Sequence, residues 1–176
     1  MKKLLILTVF LLILTPPKEA QAFEEPLAGI TMTLDAVKDK PIEKAVAYYS
    51  AIYRVDGNLV LAVIDGESEG NPDALNRNKN GSTDHGLMQI NSCNHEWLRE
   101  ELGITDFHDP VQNIQAGCYI LSLLTAKYDD YHRILMAYNM GEYRTRQLWR
   151  QGIRTSRYSR RVMEKYQKLK EGKKCF

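Results

Sequence analysis

The sequence predicts a mainly α (α+β) globule, with a short β-hairpin or loop excursion set among the helices. Three observations support this. Apolar residues recur at steps of three and four in several separate segments, the period of a helix with one buried face. One polar stretch rich in Asn, Gly and Asp, from Asn71 to Asp84, interrupts that pattern. The chain has 176 residues, 44% hydrophobic and 26% charged, with 11 Gly and 6 Pro, which suits a packed domain and excludes disordered, collagen-like or repeat-array architectures.

Taken in order, Met1-Lys2-Lys3 precedes an apolar run, Leu4 to Leu14, broken only by Thr8. Eleven residues fall short of the ~20 that span a hydrocarbon core. Ala20-Gln21-Ala22 then supplies a small-x-small site. Residues 1–22 are therefore expected to be a signal peptide, leaving an exported product with no stable membrane span after cleavage. About 154 residues remain, enough to bury a core in one domain.

Residues 23–40 have weak periodicity and read as a linker or N-terminal arm. The folded domain is expected over 41–171, with 172–176 as a C-terminal tail. A helix opens at Asp39-Lys40-Pro41 and buries Ile42, Ala45, Val46, Tyr49 and Tyr53. Asp56-Gly57-Asn58 reads as a turn. An apolar segment from Leu59 to Ile64 runs into Asp65-Gly66-Glu67-Ser68, where Ser68 is expected to finish the helix. Loop follows, with a hairpin turn at Asn80-Gly81. Asp109-Pro110 opens a helix whose apolar positions are Val111, Ile114, Cys118, Leu121 and Leu124. Ile134 to Tyr138 predicts a buried helix ending near Gly141. A last helix from about Ser156 carries Tyr158, Val162, Tyr166 and Leu169 on one stripe.

The net charge of +2 conceals an asymmetry. Residues 23–126 hold 7 basic and 16 acidic groups, a net of −9, whereas 127–176 hold 14 and 5, a net of +9. A globally basic nucleic-acid binder is thereby disfavoured. Arg144, Arg146, Arg150, Arg154, Arg157, Arg160 and Arg161 accompany no nucleic-acid motif, so no nucleic-acid partner is expected. Cys93, Cys118 and Cys175 allow three single pairings, and Cys118 lies on a helix stripe where a buried free thiol would also fit. Cys93-x-His95 has no further ligand at zinc-site spacing, so neither a metal nor an organic cofactor is expected.

Glu67 carries the chemistry. It sits at the end of an apolar segment, where shelter from water raises a carboxyl pKa and lets the protonated form act as a general acid near neutral pH. Its surroundings form an ordered motif set: Glu67-Ser68, Asn71-Pro72, Gly86-Leu87-Met88-Gln89, Ala137-Tyr138-Asn139, and Tyr158 with Arg161-Val162. From Leu59 to Gln167 the chain resembles lytic transglycosylases of the soluble and secretion-system-associated kind, in the lysozyme superfamily. The 26 residues from Glu67 to Ser92 also resemble chicken-type lysozymes, through Asn76-Arg77-Asn78, Gly81-Ser82-Thr83-Asp84 and Gln89-Ile90-Asn91-Ser92.

The resemblance implies a lysozyme-like fold with the polar excursion beside an active-site cleft, and peptidoglycan glycan strands as substrate. Glu67 would protonate the β-1,4 oxygen between N-acetylmuramic acid and N-acetylglucosamine, then activate the muramoyl 6-hydroxyl to give a 1,6-anhydro end. Asp84 is a second catalytic candidate, either a carboxylate for lysozyme-type hydrolysis or a turn-stabilising residue. Gln89, Tyr138, Asn76, Asn78, Asn91, Met88 and Asn139 are the implied substrate-binding positions. Asn76 departs from the Ser that many soluble transglycosylases place there, and Met140 from a small residue; His85 reads as a surface loop residue. A secretion or conjugation machine is the partner the resemblance suggests. A non-catalytic glycan-binding component keeping the same fold is the alternative of another class.

Overall fold

A computed structural model describes residues 41–172. The expected signal segment and arm, Cys175 and most of the tail lie outside the described residues. Helix α1 spans Pro41–Ile52 and α2 Gly57–Ser68. Three short strands follow, β1 Leu75–Arg77, β2 Thr83–His85 and β3 Ile90–Asn91. A single 3-10 turn, Ser92–Asn94, leads into α3 His95–Leu102. Helices α4 Pro110–Lys127, α5 Tyr131–Met140, α6 Glu142–Arg150 and α7 Arg157–Lys170 complete the fold. The mainly α expectation holds, with the sheet inserted as a β1-β2-β3 antiparallel unit.

Local chemistry sets the helix starts. Asp109 accepts a hydrogen bond from Gln112 N–H at 2.8 Å ahead of a proline in the first turn of α4. Ser156 and Ser159 bond each other's backbone reciprocally at the start of α7. Asp56 belongs to a cap rather than the expected turn. Its carboxylate accepts from Asn58 N–H, so α2 begins at Gly57, ahead of the apolar run. Its other oxygen accepts from the Tyr166 hydroxyl at 2.7 Å and pins α7 to the start of α2.

Helix α4 supplies the centre of the core through Ile114, Ala116, Cys118 and Leu121, all without exposure. Cys118 is a buried free thiol and Cys93 an exposed one. Val111 departs from its expected burial, being 41% exposed in the first turn of α4. Against this core lie α1 and α5, while α2 packs along α7. The last contact is close: a Cβ on Gly66 would stand 2.8 Å from Val162 Cγ2. Asp65, buried one position earlier, forms an ion pair with Lys165 of α7. Together these fix the C-terminal end of α2, where Glu67 stands.

The hairpin differs from the expected tight turn at Asn80-Gly81. Strands β1 and β2 are joined by five residues, 78–82, closed by Asn78 N–H to Ser82 O at 2.8 Å and Gly81 N–H to Asn78 O at 3.0 Å. Gly81 takes φ of +87°, and the Asn80 carboxamide oxygen accepts from both Ser82 N–H and its hydroxyl. Register then matters most. Asn76 faces Asp84, and Asp84 faces Asn91. Side chains alternate faces along a strand, so these three share one face of the sheet.

Candidate active site

A cleft of about 1130 Å³ runs between the sheet and the α4–α5 side of the helical body. Glu67, Asp84, Gln89, Tyr138, Asn78, Asn91 and Asn139 all contribute to its lining. Asn76 and Met88 do not.

Glu67 is half-buried at the end of α2. Burial pushes its carboxyl from the ordinary 4.5 up to about 7, and the nearby Asp84 charge pushes the same way. Opposing them, the Tyr158 hydroxyl approaches closely enough to draw the value down, as does the Arg161 guanidinium. The Tyr158 oxygen is itself buried and reaches full hydrogen-bond geometry with no partner. Arg161 donates to the carbonyl of Gly66, one residue before Glu67. A carboxyl in this state is substantially protonated at neutral pH, and its conjugate base has a cation and a hydroxyl beside it. That is what a group needs to give up a proton and later recover one.

Asp84 sits across the cleft on β2. One oxygen accepts from Asn91 Nδ2 at 2.6 Å; the other accepts from Asn78 Nδ2 at 2.9 Å and Asn76 Nδ2 at 3.0 Å. Three amide donors suit the ionised, acceptor-only form. The cross-strand row makes this arrangement, because Asn76 and Asn91 are the register partners of Asp84 and Asn78 lies two residues beyond Asn76. The turn-stabilising alternative is therefore corrected: the carboxylate is held by side-chain amides rather than by its own backbone. All three asparagines hold Asp84 in place; Asn78 and Asn91 also line the cleft, and Asn76 does not.

Other expectations change in detail. The Met88 side chain is fully buried, packed so closely on Gly117 that a Cβ there would lie 2.1 Å from its Sδ. It is a core residue and cannot touch a sugar. Its main chain serves the site instead, because its carbonyl accepts from the Tyr138 hydroxyl at 2.8 Å. Tyr138 thus lines the cleft with its proton already committed, and burial together with Glu67 holds its pKa well above the usual value. Gln89, at φ of +49°, donates to the carbonyls of Ala74 and Gly86. Both its amide hydrogens are spent on backbone, leaving the carboxamide oxygen to meet a ligand. Ser68 finishes α2 and donates to Leu87 O at 2.8 Å, joining helix to loop. His85 is no loose loop residue, since it sits in β2 between Thr83 Oγ1 at 2.6 Å and His108 Nε2 at 2.8 Å.

Two features escaped sequence reasoning. Asn113 of α4, without exposure, accepts from Met88 N–H and donates to the carbonyls of His85 and Phe107, each at 2.8 Å. One amide thereby fixes the chain on both sides of Gly86, whose φ of +72° and 2.5 Å approach to Asn113 leave no room for a side chain. Trp97, 41% exposed, joins Ile120 and Leu123 in an apolar cleft wall suited to the flat faces of sugar rings. Among the described residues no group of three or more His, Cys, Asp or Glu is placed to hold a metal ion.

Comparison with known proteins fits this geometry. The chain is 34% identical over 123 residues to "Invasion protein IagB" of Salmonella typhi, covering 68% of this chain and 73% of that one. It is 35% identical over 115 residues to "Transglycosylase" of Enterobacteria phage PRD1, covering 65% of this chain and 39% of the phage protein. A third relative is "Protein IpgF" of Shigella flexneri, 32% identical over 92 residues, covering 51% and 60% respectively. Among solved structures, an inactive mutant of lytic transglycosylase Slt from Pseudomonas aeruginosa superposes with a TM-score of 0.57 at 19% identity. That match takes in 74% of this chain and 24% of the larger one, and supports the lysozyme-like fold. Residues 44–159, which hold every cleft residue named above, match the family model described as the transglycosylase SLT domain, and the chain belongs to that family.

Proposed function

We propose that this protein is a peptidoglycan lytic transglycosylase that cuts the β-1,4 bond between N-acetylmuramic acid and N-acetylglucosamine and leaves a 1,6-anhydromuramoyl end. The observation that carries the reading is the state of Glu67, a sheltered carboxyl at about 7 lining a long cleft in a transglycosylase-family domain. Glu67 donates its proton to the bridging oxygen as that bond breaks. Positive charge develops at the muramoyl C1 and is met by the substrate's N-acetyl oxygen and by the field of Asp84. The Glu67 carboxylate, steadied by Arg161 and Tyr158, then takes the proton of the 6-hydroxyl while that oxygen closes on C1. The proton count balances, Glu67 returns to its starting form, and no water is consumed.

Asp84 supports a second reading. A fixed carboxylate opposite a sheltered Glu is also what lysozyme-type hydrolysis requires. The products separate the two, because a hydrolytic reducing end is heavier than an anhydro end by one water. Mass spectrometry of muropeptides released from purified sacculi is expected to return anhydro ends from the wild type and from Asp84→Asn alike. The variant is expected to act roughly 10- to 100-fold more slowly, through loss of a charge near the developing cation. The alkaline limb of its pH profile should move down, since removing a negative neighbour lowers the Glu67 pKa. Reducing ends from the wild type, with activity abolished in Asp84→Asn, would establish the muramidase instead.

The exported location belongs to the same proposal and rests on the charged start, apolar run and Ala20-Gln21-Ala22 site. Among the described residues no helix is long and apolar enough to cross a membrane. Residues 41–171 would act as the catalytic domain on peptidoglycan glycan strands. Association with a secretion or conjugation machine is supported by likeness to a relative named as an invasion protein.

A further inference from the structure

From Tyr143 to Met163 the chain holds seven arginines and no acidic residue. Arg161 reaches Glu67 and Arg144 lines the cleft; the other five take no part in that site. Arg146 and Arg150 lie on the outer face of α6 with Tyr143 and Gln147, at helical steps of three and four. The Gln147 amide donates to the Tyr143 hydroxyl at 2.9 Å and sets the two side by side. Tyr143 is 73% exposed, and Arg146, Gln147 and Arg150 are exposed with it. The opposite face buries Thr145 and half-buries Leu148 and Trp149.

The link after α6 continues the same composition. Residues 151–154 are all exposed, Ile153 among them at 43%. The Arg154 guanidinium folds back over the Trp149 ring, 4.7 Å from its centroid, and donates to the Trp149 carbonyl. It thereby stands at the C-terminal end of α6, where a cation is favoured. Glu142, the one carboxylate of α6, is held by Lys127 and the Tyr128 hydroxyl at the end of α4. Among the described residues, Arg146, Arg150 and Arg154 form no ion pair. Tyr143, Arg146, Gln147 and Arg150 all stand outside the cleft.

This face has the chemistry of an interface with phosphates. A guanidinium presents a planar fork that matches phosphate oxygens, which an ammonium does not. Tyr143 and Ile153 set an aromatic and an aliphatic group among the arginines, the mixture that settles at the boundary between headgroups and acyl chains. The outer face of a helix is convex and offers no groove to grip a peptide, whereas a bilayer surface needs none. We propose that the outer face of α6 and residues 151–154 seat this protein on an anionic lipid surface, with the arginines on headgroup phosphates and Tyr143 and Ile153 in the interfacial layer. The attachment is peripheral, since no helix among the described residues is long and apolar enough to cross a membrane. It stands apart from the activity proposed above, because no cleft residue takes part.

The test measures partition of the exported protein onto vesicles of phosphatidylcholine and of phosphatidylcholine with phosphatidylglycerol in equal parts. Every variant carries the same N-terminus, verified by mass, and circular dichroism verifies the fold. Wild type should bind the anionic vesicles and leave the neutral ones, more tightly at low salt than at about 0.15 M. Each basic side chain near such a surface is worth about fivefold, so Arg146→Gln with Arg150→Gln should weaken partition roughly 10- to 30-fold. Tyr143→Ser with Ile153→Ser should weaken it about fivefold, through lost apolar contact, and leave binding to soluble poly-glutamate unchanged. On lipid-free sacculi both double variants should release soluble muropeptides within twofold of wild type. Failure to prefer anionic vesicles, or partition that ignores the two arginines, would overturn the proposal. Tight poly-glutamate binding together with no effect of the Tyr143 and Ile153 changes on vesicles would replace the lipid with an acidic protein partner. A matching loss of activity on sacculi would assign the face to glycan instead. Wild-type protein that bound vesicles as expected and released nothing from sacculi would sink the enzymatic reading and leave this one standing.

Discussion

Glu67→Gln protein is expected to release soluble muropeptides from purified sacculi at least 1000-fold more slowly than wild type. The amide keeps the shape of the side chain and cannot supply the proton, so the leaving oxygen would depart as an alkoxide. General acid catalysis contributes about 10²–10⁴-fold, and here the same group also has to act as the base. Glycan binding should survive, because the amide keeps the side chain's shape and the rest of the cleft lining is unchanged.

The same substitution has a signed effect on stability. The folded carboxyl titrates near 7, above the ordinary 4.5 of the unfolded chain, so the native state binds more protons between those values. Wild-type stability should therefore fall as pH rises from about 4.5 to 7 and stay lowered above it. Glu67→Gln lacks that dependence. It should be the more stable protein at pH 8, by on the order of 2 kcal/mol, and should lose the advantage at pH 4. Denaturant melts at the two pH values measure this, and equal differences at both would contradict it. A general acid near 7 also makes wild-type kcat/KM fall on the alkaline side of neutrality.

Asn113→Ala should be the most damaging single change away from the catalytic carboxyl. It strips partners from one buried N–H and two carbonyls at once. Each orphaned group costs about 1–3 kcal/mol, so a loss of roughly 3–5 kcal/mol is expected. A domain of this size should then melt some 10 °C lower or more. Because the freed segment runs from His85 to Met88, the effect should extend to the Met88 carbonyl that holds Tyr138. Turnover should fall even where the protein remains folded. Asn113→Asp keeps the acceptor for Met88 N–H but sets a carboxylate against two carbonyls, and should rescue nothing at neutral pH. A loss under 1 kcal/mol in the alanine variant would show that the loop is held by other means.

What the sequence disclosed follows the range of the interactions involved. Asp109-Pro110 and Ser156 announce helix starts within four residues, and those helices begin there. The heptad-like spacing of Ile114, Cys118 and Leu121 reports burial directly. Glu67 was legible because an acid at the close of an apolar segment is unusual and its flanking motifs are ordered. Helices α3 and α6 were not, since α3 fully buries only Leu98 and α6 only Thr145, leaving no apolar stripe to read. Asn113 was hidden because its three partners lie between 6 and 28 residues away, brought together only by the packing of α4. The asparagine cradle of Asp84 needed the strand register, and the five-residue link between β1 and β2 sets that register. With it known, Asn76, Asn78 and Asn91 gain a role as supports for a carboxylate, while Asn78 and Asn91 keep their place in the cleft lining. Met88 illustrates the converse, a motif residue whose main chain matters to the site and whose side chain fills the core.

The most direct test follows the Glu67 side-chain carboxyl by carbon-13 NMR across pH 3 to 9, assigned by comparison with Glu67→Gln. A midpoint near 7, falling when Asp84 is replaced by Asn, is the predicted result. A midpoint near 4.5 that ignores Asp84 would mean that the group is ionised and hydrated at working pH, with no proton to give.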